Sequence, residues 1–254
     1  LKIIDNIMSV YSSNKLNFLL LQQLHTLAHF IEAFETFSFQ LKDRILRVLE
    51  LVVTVVNYVP FQELSSMSCL LQPSPSSTTT VLIFQIVTKL VNFDEKFKQI
   101  LQEAGLLHML LTLLRQYHSQ LTDINDELVI SFTSNSDHAD SPSVATYTVA
   151  MDCITLLITG NRENINIFRS SGCIQVLLTF LFHRDTRTAA LRVMQELIDS
   201  DTEQCGAEID ALIEIIQASP SENFEIKQDI LNTFQRCFLA NEKTRDTFRE
   251  SHGF

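Results

Sequence analysis

The chain has 254 residues, 46% of them hydrophobic, with 19 Lys and Arg against 30 Asp and Glu and a formal net charge of −11. That length and apolar content suit a large core or a short repeat array. The acidic balance argues against a nucleic-acid surface, which needs a basic stripe to neutralise phosphates. Gly and Pro, at five each, are too few for the turns of a β-sandwich and point to an all-helical protein.

In chain order, apolar residues recur at helical spacing from Asn17 to Phe37 and from Leu41 to Val56. Pro60 restarts a short helix through Leu71. Gln72-Pro73-Ser74-Pro75-Ser76-Ser77 breaks the chain, and Thr78 to Thr80 can cap a helix that reaches about Val91. A short helix then ends near Ala104, where Gly105 fits a left-handed terminator, and a very apolar helix runs from Leu106 to about Tyr117. From Leu121 to Pro142 the pattern dissolves into Asp, Asn, Ser and Thr, the longest expected loop. Helices are expected again over Ser143–Thr159, Ile165–Ser171 and Cys173–Phe182, with Gly160-Asn161 and Gly172 between them. Thr186–Ile198, Gly206–Ala218 and, after Ser219-Pro220-Ser221, Phe224–Ala240 complete the series.

The segments Asp94–Leu114 and Asn161–Leu181, 67 residues apart, are copies of one another: their glycines align, and so do the apolar positions on either side. A third echo starts at Asn241, where Asn241 and Phe248 stand 80 residues after Asn161 and Phe168, and it is cut short at Gly253-Phe254. The unit reads as long helix, short helix, glycine, apolar helix, the three-helix pattern of an armadillo repeat. The expected fold is therefore all-α, an armadillo- or HEAT-like right-handed superhelical solenoid in which stacking buries faces that no unit could bury alone. Residues 1–72 are expected as degenerate N-terminal repeats and residues 73–254 as armadillo-like repeats with a polar loop at about 121–142, together one continuous, elongated solenoid. Copy spacings above the roughly 40–47 residues of one such repeat are explained by that loop and by the helix pair from Thr186 to Ala218. The start at Leu1, inside an already periodic segment and without Met, reads as a piece of a longer chain.

Motifs for chemistry are sparse. The sequence has no phosphate-cradling glycine loop, no Gly-x-Ser-x-Gly and no His-Glu-x-x-His, and the expectation is a protein that is not an enzyme and needs no cofactor. His25 and His29, four apart on an expected helix, lack the two further ligands zinc requires. Asp123, Asn125 and Glu127 have the beginnings of a calcium loop without its glycine or closing Glu. The five cysteines include no Cys-x-x-Cys pair and read as free, mostly buried thiols. No segment is long and apolar enough to span a bilayer. Ser131, Thr133, Ser134, Ser136 and Ser141 make the polar loop a phosphorylation candidate, against the plainer reading of a tolerant insertion. On the helix after each repeat glycine, polar residues recur in register: His108, Thr112 and Gln116 match Gln175, Thr179 and His183. Spacing of four keeps each set on one face, which in a solenoid would line the concave side. These six are the candidate partner groove, against the plainer reading of a solvated polar stripe.

Asn57-Tyr58-Val59-Pro60 followed by a Glu-Leu helix, Glu103-Ala104-Gly105-Leu106-Leu107 with Leu113-Leu114-Arg115-Gln116-Tyr117, Asp229-Ile230-Leu231, and Thr247-Phe248-Arg249-Glu250 with Gly253-Phe254 resemble the armadillo-like region of large BEACH-domain proteins of the autophagy-linked FYVE, blue cheese and large-volume-sphere type. The resemblance spans roughly Leu46 to the end and gives no clear match over the first 45 residues or Asp123–Pro142. It implies a non-catalytic protein-interaction scaffold within a BEACH/WD-repeat protein acting in membrane traffic, vacuole or lysosome biology or selective autophagy. It implies protein partners, no nucleic acid, and a cytoplasmic location with recruitment to endosomal, lysosomal or autophagic membranes only through other domains of the parent. The alternative is a small-GTPase effector or regulatory armadillo module of another cytoplasmic scaffold.

Overall fold

Every regular element in the computed structural model, which describes residues 2–71, 77–127, 144–219 and 224–252, is helical among those residues. The helices divide into two compact units, Leu1–Leu113 with Ser141–Val149 and Leu114–Asp140 with Ala150–Phe254. The first contains α1 (Lys2–Ser13), α2 (Lys15–Gln22), α3 (Thr26–Glu32), a 3-10 turn at Phe34–Thr36, α4 (Phe39–Thr54), α5 (Phe61–Cys69), α6 (Ser77–Phe93) and α7 (Phe97–Glu103). The boundary falls within α8 (Leu106–Glu127) and α9 (Val144–Ile158). The second unit goes on with α10 (Arg162–Ser170), α11 (Cys173–Phe180), α12 (Arg184–Ser200), α13 (Gly206–Ala218), α14 (Phe224–Ala240) and α15 (Glu242–His252).

Within each unit helices pack on near neighbours in the chain, which is how an α-solenoid is built. In the first, α4 packs against α1, α3 and α6, and α5 against α3 and α7. In the second, α12 packs against α11, α13 and α14, and α13 against α14 and α15. The reason is visible in the sequence. The α4 residues Ile45, Val48, Leu49, Val52 and Val53 recur at helical spacing and all are buried, so α4 must be covered on more than one side.

The repeat seen in the sequence is a structural repeat as well. Leu101 and Phe168 occupy matching positions and neither is exposed at all. Leu106 pairs with Cys173, Leu110 with Leu177, Leu113 with Phe180 and Leu114 with Leu181, and all eight are buried. Asp94 and Asn161 each start a copy with a side chain bonded forward to the backbone: Asp94 Oδ1 accepts from the N–H of Lys96, two residues on, at 3.0 Å, and Asn161, the N-cap of α10, accepts through Oδ1 from the N–H of Asn164, three residues on, at 3.0 Å. Asn241 does likewise for α15, accepting from the Lys243 N–H at 2.9 Å. Thr244, which matches Asn164, is fully buried as Asn164 nearly is. Phe248 closes the third echo against the rings of Phe234 and Phe238, at 5.6 and 5.0 Å between centroids.

Gly105 and Gly172 turn the short helix of each copy into the next with φ of +87° and +72°. A Cβ at either would meet nothing within 4 Å, so their role is conformational, not steric. Gly105→Ala and Gly172→Ala are each expected to cost about 1–2 kcal/mol, the left-handed penalty of an L-residue, read as a lower urea midpoint at unchanged helical content.

Several boundaries differ from the sequence reading. Asn17–Phe37 is not one helix. Asn14 caps α2 through its side chain, accepting from the Leu16 N–H at 2.9 Å, and His25, at φ +50°, separates α2 from α3. Because neither Gly nor Pro marks that turn, periodicity alone ran through it. The helix after Gly105 continues to Glu127, so Asp123, Asn125 and Glu127 are helical and not in a loop. Pro142 and Ser131, Thr133, Ser134, Ser136 and Ser141 lie outside the described residues, as do Gly253-Phe254. Cys153, Cys173, Cys205 and Cys237 are buried free thiols, whereas Cys69 is exposed. Burial pushes the Cys153 and Cys237 thiols up, with help from Asp152 and Asp199 respectively. Among the described residues no helix is long and apolar enough to cross a membrane.

Candidate interaction site

The six groove residues fall in both units, His108 and Thr112 in the first, Gln116, Gln175, Thr179 and His183 in the second. Matching positions have matching exposure: His108 and Gln175 are exposed, Thr112 and Thr179 half-buried, and Gln116 and His183 half-buried. His183 departs from the expected helical face. α11 ends at Phe180, and His183 is the extended residue before α12 (φ −98°, ψ 122°). The reason lies in Thr186, whose buried hydroxyl donates to Phe180 O at 2.9 Å and ties the start of α12 to the end of α11.

The hydroxyls of the stripe are also in use. Thr112 Oγ1 donates to His108 O at 2.9 Å and Thr179 Oγ1 to Val176 O at 2.7 Å, the back-bonds a helical Thr makes when it turns to its own backbone. Thr179 Oγ1 also meets His118 Nδ1 at 3.1 Å. His108 and Gln175 thus remain the members best placed to meet a partner.

A separate concavity lies in the first unit. The α2–α3 turn and the segment from Tyr58 to Glu63 enclose an open cleft of about 460 Å³, lined by Gln22, Gln23, His25, Tyr58, Val59, Phe61, Gln62 and Glu63. Both non-glycine residues with left-handed backbone among the described residues, His25 (φ +50°) and Asn57 (φ +56°), lie in the two turns that form it. Left-handed backbone costs an ordinary L-residue energy, which surrounding structure must over-determine. Here the tie is between side chains: Gln22 Nε2 donates to Tyr58 Oη, while the Tyr58 ring packs 5.1 Å from Phe18 and Phe18 in turn 5.1 Å from Tyr11. Gln23, His25, Val59, Phe61 and Gln62 form an exposed rim, Gln22 and Tyr58 are half-buried, and Glu63 is 6% exposed. Burial, and then the charge of Glu63, raise the Tyr11 hydroxyl above its usual value.

In the second unit a smaller polar groove of about 210 Å³ runs between α12 and α14, lined by Thr188, Arg192, Gln195, Asp229, Asn232 and Arg236 among others. Two of its charges are paired locally: Arg192 bonds Asp152, and Asp229 accepts from Arg187 at 3.1 Å. Among the described residues no group of three or more His, Cys, Asp or Glu is arranged to hold a metal ion. His25 and His29 do not share a helical face, since His25 stands before α3 in left-handed conformation and His29 pairs with Glu32 at 3.2 Å.

Beneath these surfaces the second unit is fastened by a buried ionic cluster. Arg169, at the end of α10, places Nη1 2.5 Å from Asp201 Oδ2 and Nε 2.6 Å from Glu208 Oε1. The side chains are 15%, 5% and 1% exposed respectively. Burial pulls the guanidinium down, but its bonds to Glu208 and Asp201 outweigh that and hold it above its usual value. Its stabilising charge is therefore fully present below the unfolded arginine value and is lost only as pH rises through the higher folded one. The cluster reads as structural: it joins α10 to the α12–α13 turn and opens on none of the clefts described.

No protein-family model matches the chain. Curated proteins do. BEACH domain-containing protein A2 and Protein SPIRRIG of Arabidopsis thaliana are each 28% identical over 291 aligned residues, covering 100% of this chain. The chain matches a segment of the large BEACH-domain proteins. The human WD repeat- and FYVE domain-containing protein 4 is 22% identical over 255 residues, again covering 100% of this chain. The likeness includes the first 45 residues, for which the motifs alone gave no match. The chain spans about 8% of the length of these relatives. Among solved structures, one described as an engineered protein aligns with 93% of this chain and 90% of its own at a TM-score of 0.48 and 12% identity, below the level at which a shared fold follows.

Proposed function

We propose that the chain is a non-catalytic protein-interaction segment of a BEACH/WD-repeat scaffold that works in membrane traffic, including lysosomal or autophagic routes. The observation that carries the reading is a likeness over the whole of this chain to a segment of BEACH-domain proteins, joined to an all-helical repeat in which exposed polar residues recur at matching positions. Stacked helical repeats offer extended side-chain faces suited to partners. In this reading the partners are proteins, no cofactor takes part, and membranes are reached through other parts of the parent protein in the cytoplasm. Proximity labelling of a full-length parent, with and without this segment, tests it. A defined set of neighbours is expected to vanish when the segment is removed while the parent still accumulates. An unchanged set of neighbours would count against the interaction role.

A further inference from the structure

The cleft between the α2–α3 turn and the start of α5 contains an acid with nothing to bind. Glu63 is 6% exposed, lines the cleft, and forms no hydrogen bond or ion pair with any described residue. The sequence explains why. Pro60 is the N-cap of α5 and Glu63 stands three residues on, where a capping-box glutamate would reach back to the N-cap N–H. Proline has no N–H, so that partner does not exist. The residue is also held inward, because Glu63, Leu64, Met67 and Ser68 form the buried stripe of α5. Its side chain is packed in while its carboxylate faces the open cleft, and among the residues lining that cleft there is no Lys or Arg to pair with it.

The remaining walls suit one kind of guest. Tyr58, Phe61 and His25 offer flat ring faces, and Gln22, Gln23 and Gln62 offer amides that can both donate and accept. A guanidinium is planar, always charged, stacks on rings and meets a carboxylate through two parallel N–H bonds. We infer that this cleft is a docking pocket for an arginine side chain of a protein partner, with Glu63 as the charge acceptor at its floor and Tyr58 and Phe61 as the stacking walls. Exposed Val59 and, beside His25, exposed Leu24 supply apolar surface for residues flanking that arginine. The inference deepens the interaction reading above and rests on it for the identity of the guest as part of a protein.

The test is a methyl NMR titration of the whole 254-residue chain, read at Val59, with N-acetyl-arginine methylamide and with its uncharged analogue N-acetyl-norleucine methylamide. The arginine probe is expected to shift the Val59 signals saturably and the norleucine probe to leave them in place. Glu63→Gln, which keeps the shape and removes the charge, should weaken the arginine probe about tenfold, the value of one charge-assisted hydrogen bond. No response to the arginine probe, an equal response to norleucine, or undiminished binding by Glu63→Gln would overturn the pocket. If Glu63→Gln loses its helical signal, the comparison of the two probes on the unaltered chain decides alone. Free agmatine separates the sources: a small cation that binds more tightly than the peptide-like probe would overturn a protein guest. Failure here with neighbours still lost in proximity labelling sinks the pocket alone, whereas pocket binding with no neighbours lost sinks the interaction reading.

Discussion

Arg169→Met is expected to destabilise the second unit by about 3–5 kcal/mol, the usual consequence of removing one partner from a buried ionic cluster. Asp201 and Glu208, 5% and 1% exposed, would lose their cation. Glu208 has no reserve, since its Oε2 is buried and already without a hydrogen-bond partner. The size of the loss reflects the carboxylates left behind rather than the worth of the original bonds. Replacing all three residues together with apolar ones of similar volume should therefore recover most of it. Urea unfolding followed by circular dichroism measures both. A single variant with an unchanged midpoint, or a triple variant as weak as the single, would contradict the role given to the cluster. Glu50 and Lys89 form the contrasting case. Their 2.6 Å pair is 30% and 51% exposed, and its removal should change stability by less than about 1 kcal/mol.

Phe168→Ala is expected to cost about 3–5 kcal/mol through lost apolar contact and the cavity it leaves. Phe168 is wholly buried one residue before Arg169, on the short helix of the second repeat copy. Its counterpart in the first copy is Leu101, equally buried. The repeat thus names its own control: Phe168→Leu installs the residue the fold accepts at that register and should lose distinctly less than Phe168→Ala. Denaturant midpoints of the two variants give the comparison. Equal losses would mean that the two copies are not structurally equivalent at this position.

These two residues mark how far the sequence could be read. Phe168 was legible because repetition pairs it with Leu101 across 67 residues, and local periodicity then assigns both to the core. Gly105 and Gly172 were legible for the same reason. Arg169 was not, because its partners lie 32 and 39 residues away and a charged residue at the end of an amphipathic helix reads as solvated. The N-terminal break at His25 was missed since a left-handed non-glycine residue leaves no compositional mark. The extension of α8 to Glu127 was missed because Asp123, Asn125 and Asp126 read as loop residues, although Leu121 and Ile124 carry on the apolar spacing of Leu114 and Tyr117.

The candidate site divides in the same way. Register located the polar stripe, and matched exposure at His108 and Gln175 follows that register. It could not foresee that Thr112 and Thr179 would bond to their own helices, nor that Thr186 would pull His183 off the end of α11. The Glu63 cleft depends on which turns meet, which no local pattern encodes. One signal was nonetheless present in the sequence: a Glu three residues after a helix-starting Pro is a capping-box acid deprived of its donor.

Direct titration of the purified chain with a protein lost from the parent's neighbours on removal of this segment tests the interaction role most closely. Saturable binding is expected, weakened by substitutions at exposed His108, Gln175 or the Glu63 cleft that leave the helical signal and urea midpoint intact. Absence of binding to every such protein, with the chain fully helical, would contradict it.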